Sequence, residues 1–313
     1  MSARASPSTR ASRSAHDANV PIAITPHLDI AFEERNPDAS DVVVLVHGFP
    51  DDVRTWDALL ERPALAGKRA IVPSLRGFGA TGFRDAEAPR NAPAHVLARD
   101  ILDLLDALGI ARCTLVGHDW GARAAYGAAV IAPERVERLV ALSVGYGASL
   151  NVAAMSHAQI HAFWYQWYFA TPRGEETLRD DRVAFCRHLW KTWSPTWAFA
   201  DAEYDRTAAS FANDDFARVV LHSYRHRWGF ANPGPGSRAD EAALAALPRI
   251  AVPTLVMHGD TDGATLLEAT ADRDHLFSAQ YRRVVLPGIG HFIQREAPDA
   301  LDAEIAAFAL QRS

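Results

Sequence analysis

Residues Cys113-Thr114-Leu115-Val116-Gly117-His118-Asp119-Trp120-Gly121-Ala122-Arg123-Ala124-Ala125-Tyr126 decide how the chain is read. The apolar run Cys113 to Val116 has the character of a buried strand. Gly117 and Gly121 then flank His118-Asp119-Trp120, and a small-residue helix follows through Ala122, Ala124, Ala125, Ala128 and Ala129. Strand, tight turn and helix in that order read as a nucleophile elbow. The turn is so sharp that its middle residue takes a strained backbone and projects its side chain. Glycines two before and two after relieve the crowding. The middle residue of such an elbow is usually Ser; here it is Asp119. A carboxylate in that place can attack an electrophilic carbon and form an ester. Gly-x-Asp-x-Gly also serves as a plain turn, so the surrounding chain must decide between the two readings.

Upstream, Pro21 to Glu34 alternates apolar and polar residues, as one or two edge strands do. Val42-Val43-Val44-Leu45-Val46 is a continuous apolar run, expected of a central parallel strand covered on both faces, and it ends in His47-Gly48-Phe49-Pro50. Trp56 to Leu65 reads as a short helix and Ala70 to Pro73 as a strand. The glycines of Arg76-Gly77-Phe78-Gly79-Ala80-Thr81-Gly82 do not open a helix, which excludes a dinucleotide loop. Val96 to Leu108 repeats apolar residues at helical spacing, with Asp100, Asp103 and Asp106 at the other positions. Val136 to Val144 is the next strand. Alternating strands and helices argue for an α/β fold with a mostly parallel sheet wrapped by helices.

From Gly145 to about Pro248 that rhythm stops. The segment is helical and aromatic, and it holds six of the eight Trp residues: Trp164, Trp167, Trp190, Trp193, Trp197 and Trp228. It reads as an inserted helical cap over residues 148–248, with the core formed by 21–147 and 249–313 and a disordered tail over 1–20. The sheet rhythm returns at Thr254 to Met257, ending in His258-Gly259-Asp260-Thr261-Asp262-Gly263. Tyr281 to Leu286 is a last strand, ending in Pro287-Gly288-Ile289-Gly290-His291-Phe292, and a closing helix carries Leu301, Ile305, Phe308 and Leu310.

The chain of 313 residues is 49% hydrophobic and 22% charged, which suits one large globular domain carrying an insertion. Its net charge of -6 leaves no electrostatic footprint for nucleic acid. Cys113 and Cys186 make no disulfide framework, and neither a zinc-spaced Cys/His cluster nor a phosphate loop appears, so no metal or cofactor is expected. No apolar run is long enough to span a bilayer. The Ser-, Ala- and Arg-rich first twenty residues lack the apolar core of a secretory signal, and the expected compartment is the cytoplasm.

Asp119, Asp262 and His291 each follow a strand, in the order nucleophile, acid, histidine. Three polar groups at the carboxyl ends of parallel strands can meet on one face of the sheet. His291 would be the general base, oriented by Asp262, with Asp260 as the competing acid.

These stretches, together with His47-Gly48-Phe49-Pro50, Arg76-Gly77-Phe78-Gly79 and Gly288 to Gln294, resemble an α/β-hydrolase of the epoxide hydrolase group. The resemblance covers nearly the whole chain after the tail. It implies an oxyanion hole from the backbone N–H groups of Phe49 and Trp120, and substrate-binding side chains at Gln166, Trp120 and Phe49. His47 and His118 are expected to hold turns. Tyr165-Gln166-Trp167-Tyr168-Phe169 resembles the first cap segment of soluble epoxide hydrolases, and Ser223-Tyr224-Arg225-His226 the second. In the family a Tyr of each segment donates a proton to the epoxide oxygen, which assigns that role to Tyr165 and Tyr224, while Tyr168 reads as packing. The implied partners are an apolar epoxide and water.

Two alternatives stay open. Dehalogenases of the same superfamily also use an Asp nucleophile. The haloalkane type usually has Asn in the place of Phe49, and the fluoroacetate type has Arg directly after the Asp, where Trp120 stands; Arg123 does match its second Arg. A non-catalytic relative that binds a small ligand is the other alternative.

Overall fold

The computed structural model describes residues 20–148, 155–232, 234 and 238–310. Apart from Val20, the expected tail lies outside the described residues. Among the described residues nine strands form one sheet: β1 (Ile22–Ile24), β2 (Leu28–Arg35), β3 (Val42–Val46), β4 (Arg69–Pro73), β5 (Gly82–Phe83), β6 (Cys113–His118), β7 (Val136–Leu142), β8 (Thr254–Gly259) and β9 (Tyr281–Leu286). Their order is β1-β2-β4-β3-β6-β7-β8-β9, with β5 paired to β2. The edge formed by β1, β2 and β5 is antiparallel, and from β4 to β9 every pairing is parallel.

The continuous apolar strands follow from burial on both faces. Val44 and Val46 of β3 pack on one side of the sheet with Leu97, Ile101 and Leu105, while Val43 and Leu45 pack on the other with Leu301, Ile305 and Phe308. Side chains alternate across a strand, so a sheet covered twice needs an apolar residue at every position.

The helices of the core are α1 (Asp57–Leu60), α2 (Ala94–Ala107) and α3 (Trp120–Ile131) before β7, and two more after β9. Between β7 and β8 lie α4 (His157–Ala162), α5 (Trp164–Tyr168), α6 (Pro172–Asp180), α7 (Arg182–Trp193), α8 (Asp201–Ala208), α9 (Phe216–Arg227) and α10 (Arg238–Ala245), with no strand among the described residues. After β9 come α11 (Ile293–Glu296) and α12 (Pro298–Leu310).

The expected helix over Trp56 to Leu65 is instead a 3-10 turn (Val53–Trp56), the single turn α1, and a second 3-10 turn (Pro63–Leu65). Pro63 cannot donate a backbone hydrogen bond and pushes Arg62 into extended backbone (φ -95, ψ 154), which stops the helix.

Strand register sets up the site. Val46 pairs with Gly117, His118 with Leu142, Leu142 with Met257 through the same ladder, and Gly259 with Leu286. The loops that leave these strands therefore emerge along one edge of the sheet, where parallel α/β folds place their chemistry.

Candidate active site

At the elbow, Asp119 has φ 49 and ψ -108, a conformation that L side chains rarely adopt. Its flanking glycines are required by space. A Cβ on Gly117 would come 2.4 Å from the carbonyl carbon of Gly121, and one on Gly121 would come 2.0 Å from the Val46 oxygen. The backbone N–H of Phe49 donates to Asp119 Oδ1 at 3.2 Å, so the loop after β3 already presents a donor to this carboxylate. Trp120 begins α3, and the first N–H groups of a helix have no partner within it.

His291 Nδ1 lies 2.8 Å from Asp262 Oδ2. The other oxygen of Asp262 accepts from the backbone N–H groups of Ala264 (2.8 Å) and Thr265 (2.9 Å). Burial works to raise the Asp262 pKa, but His291 and His258 beside it win and hold the carboxyl well below the usual carboxylate range. Burial likewise works to lower His291, and Asp262, with Asp119 adding to it, outweighs that and raises the imidazole above an ordinary histidine. An ionised Asp262 fixes the proton on Nδ1 and leaves Nε2 as the basic nitrogen. Nε2 has no hydrogen-bond partner among the described residues and faces Asp119 Oδ2 at 4.0 Å. Asp260, the competing acid, accepts instead from the Gly288 N–H at 2.6 Å in an exposed position.

Around this chain the loops are tied together by neutral histidines and by α7. The His118 Nε2 and the Ser143 hydroxyl both reach the His291 carbonyl, at 2.9 and 2.6 Å. His47 Nε2 accepts from the Leu75 N–H at 3.0 Å. Burial pulls the pKa of both His47 and His118 down to about 4, so both stay neutral and hold turns. The end of α7 contacts both loops. Gly263 N–H donates to the Trp193 carbonyl (2.9 Å), and His291 N–H to Ser194 Oγ (2.8 Å). Ser194 in turn donates to Glu296 Oε1 at 2.6 Å.

The two tyrosines singled out from sequence are buried and adjacent, their rings 5.4 Å apart and nearly perpendicular. Trp120 Nε1 donates to the Tyr224 hydroxyl at 3.2 Å, which ties Tyr224 to the residue next to Asp119. Burial raises both phenols far above the ordinary tyrosine, and the Asp119 charge adds to it. Both therefore keep their protons at neutral pH. Phe49 stacks on Trp120 at 5.6 Å and meets Tyr224 edge-on at 5.5 Å, forming an apolar wall. Gln166, expected on the substrate, has both ends of its amide on protein partners: Nε2 donates to the Tyr165 hydroxyl (2.7 Å) and Oε1 accepts from Trp228 Nε1 (3.0 Å). Tyr168, read as packing, bonds Thr177 at 2.7 Å and stacks on Phe185.

Among the described residues no group of three His, Cys, Asp or Glu side chains could hold a metal ion, and no helix is long and apolar enough to cross a membrane. Arg123 sits in the first turns of α3, half-buried, near enough to Arg227 for the two charges to interact.

Comparison with known proteins agrees with this architecture. Residues 41–298 match the family model described as the alpha/beta hydrolase fold. The chain is 30% identical to an epoxide hydrolase of Caballeronia sordidicola over 298 residues, covering 86% of this chain and 88% of that one. It is 27% identical to epoxide hydrolase A of Mycobacterium tuberculosis (strain ATCC 25618 / H37Rv), covering 88% and 92%. A solved structure from Klebsiella pneumoniae subsp. pneumoniae MGH 78578, provisionally called an epoxide hydrolase, superposes with a TM-score of 0.86 at 35% identity, over 93% of this chain and 97% of that one. With its sheet order, its elbow and these relatives, the chain belongs to the α/β-hydrolase fold family.

Proposed function

We propose that the protein is an epoxide hydrolase that opens an epoxide to a vicinal diol through an ester on Asp119. The observation that carries this reading is a carboxylate at the elbow centre with two buried, protonated phenols close enough to feel its charge. The relatives named epoxide hydrolases support it. Asp119 attacks a ring carbon, the C–O bond breaks, and the electron pair goes to the ring oxygen. That oxygen takes a proton from Tyr165 or Tyr224, leaving a phenolate. Water then adds to the ester carbonyl while His291 Nε2 takes its proton, with Asp262 stabilising the imidazolium. The N–H groups of Phe49 and Trp120 hold the resulting oxyanion. The ester C–O bond breaks, the departing oxygen takes the proton of the hydroxyl just added, the diol leaves an ionised Asp119 behind, and the proton on His291 returns to the phenolate. The helices between β7 and β8 form the cap, over residues 148–248, and supply the acid side of the cleft.

A halide site would need the Trp120 indole N–H, and that group is directed at Tyr224. Phe49 carries no side-chain donor in the place where haloalkane dehalogenases hold Asn, which disfavours that reading.

One turnover in oxygen-18 water, with enzyme in excess over epoxide, tests the covalent route. The first diol carries unlabelled oxygen from Asp119, and the label enters the enzyme. Label in the first diol rejects the ester.

A further inference from the structure

We infer that Gln166 and Trp228 form, with the Trp120 indole, a donor-only backing that turns both phenolic protons away from it, so that Gln166 and Trp228 are positioning residues for ring opening. This rests on the proposed epoxide reading. An indole N–H can only donate, so the Gln166 atom that meets Trp228 Nε1 at 3.0 Å is its oxygen. The amide nitrogen is then the end that meets the Tyr165 hydroxyl at 2.7 Å, and the phenol oxygen accepts. A phenol has one proton, and with its oxygen accepting from behind, that proton is directed away from Gln166. Tyr224 is set the same way, its oxygen accepting from Trp120 Nε1 at 3.2 Å. The two hydroxyls also lie close enough to interact with each other, so a ring oxygen entering between them would take over the proton that otherwise faces the neighbouring phenol.

The backing also acts on the product of the step. When a phenol gives up its proton, the phenolate is left facing an N–H of Gln166 or of Trp120, and hydrogen bonds to a charged acceptor are the strong ones. The effect grows as charge develops, which is what accelerates a step. Trp228 is held in place by its contact with Trp167, ring centroids 4.2 Å apart, so the amide cannot turn over without breaking that arrangement. Gln166 itself is fully buried, where an unmatched amide end is costly.

The test separates the two chemical steps. In a His291→Gln background, which halts ester hydrolysis, adduct formation with styrene oxide is followed by intact-protein mass. Adding Gln166→Leu or Trp228→Phe is expected to slow adduct formation by about ten- to a hundredfold. The double variant should be no slower than the worse single one, because both act through one chain of hydrogen bonds. In the His291 parent, decay of the isolated ester in the same two variants should stay within about twofold. A general loosening of the fold would slow both steps and would overturn the inference, as would unchanged adduct formation. If Tyr165→Phe slows the adduct while Gln166→Leu does not, the positioning role alone fails. If Tyr165→Phe changes nothing, or the His291→Gln protein forms no adduct, the epoxide reading fails with it.

Discussion

His291 Nε2 stands 4.0 Å from Asp119 Oδ2, on the opposite side of the imidazole from its 2.8 Å contact with Asp262. That separation is too long for a hydrogen bond, so the histidine does not occupy the carboxylate proposed to attack. The two halves of the proposed reaction therefore fall on different side chains. His291→Gln should leave ester formation intact and reduce steady-state diol production by about 10²–10⁴-fold. Intact mass should show a protein heavier by one substrate molecule. Near-normal diol production by this variant would remove His291 from the chemistry.

The charge on Asp119 is one of the influences that raise His291. The proposed ester would abolish that charge, so the imidazole would become less basic and more of it would be neutral for the second step. Asp119→Asn mimics the loss. His291 should titrate at lower pH in Asp119→Asn than in the parent, read from the imidazole proton shift in NMR. An unchanged midpoint would mean that the two groups are not coupled.

His47 and His118 bear on stability. Burial lowers each to about 4, against 6.5 for an ordinary histidine. Between these values the unfolded chain binds protons that the folded chain does not, so stability is full above pH 6.5 and is lost as pH falls toward 4. The loss amounts to about 1.4 kcal/mol per unit for each group. Urea midpoints should drop between pH 7 and pH 5, and His118→Gln should flatten the slope. A midpoint that does not move across this range would contradict the buried neutral state.

Asp119 keeps its positive φ only because the elbow imposes it, at a strain of about 1–3 kcal/mol. Asp119→Gly should abolish turnover and raise the melting temperature. Asp119→Ala should abolish turnover without that gain. A less stable glycine variant would show that the aspartate's contact with the Phe49 N–H outweighs its strain.

Arg76 and Asp100 form a buried two-pronged pair, both contacts at 2.6 Å, and Arg76 also reaches the Asn91 carbonyl. Arg76→Met leaves a carboxylate uncompensated in the interior and should cost about 3–5 kcal/mol of unfolding free energy. Replacing Asp100 by Leu in the same protein should recover most of it, measured by chemical denaturation. Equal instability of the single and double variants would refute the charge argument.

The sequence was most informative where one physical demand leaves one residue pattern. Val42 to Val46 could be read as a central strand because a sheet covered on both faces tolerates nothing polar there. The elbow could be read because its motif is contiguous and Gly117 answers to the Gly121 backbone within the same turn, although Gly121 itself answers to the distant Val46 carbonyl. Asp100 was read only as one of the polar positions of α2, and its partner is Arg76 in the loop after β4, which helical periodicity does not reveal. Ser194 and Trp228 were missed as participants for the same reason: their partners, His291 and Gln166, lie 97 and 62 residues away. Gln166 was noticed through resemblance, and only its hydrogen bonds show which way its amide faces. Local pattern reports an element's own burial; it does not report which distant loop that element touches.

The tail of α7 grips the turn after β8 through Trp193 and the turn after β9 through Ser194. The end of this helix and the two loops that carry Asp262 and His291 are thus one mechanical piece. A swing large enough to lift α7 would carry the imidazole off its aspartate, so substrate should enter past the other helices while α7 stays seated. Excising the helices between β7 and β8 would then do more than uncover the elbow: the Asp119 carboxylate would survive in the sheet, but His291, the proposed base, would lose its footing.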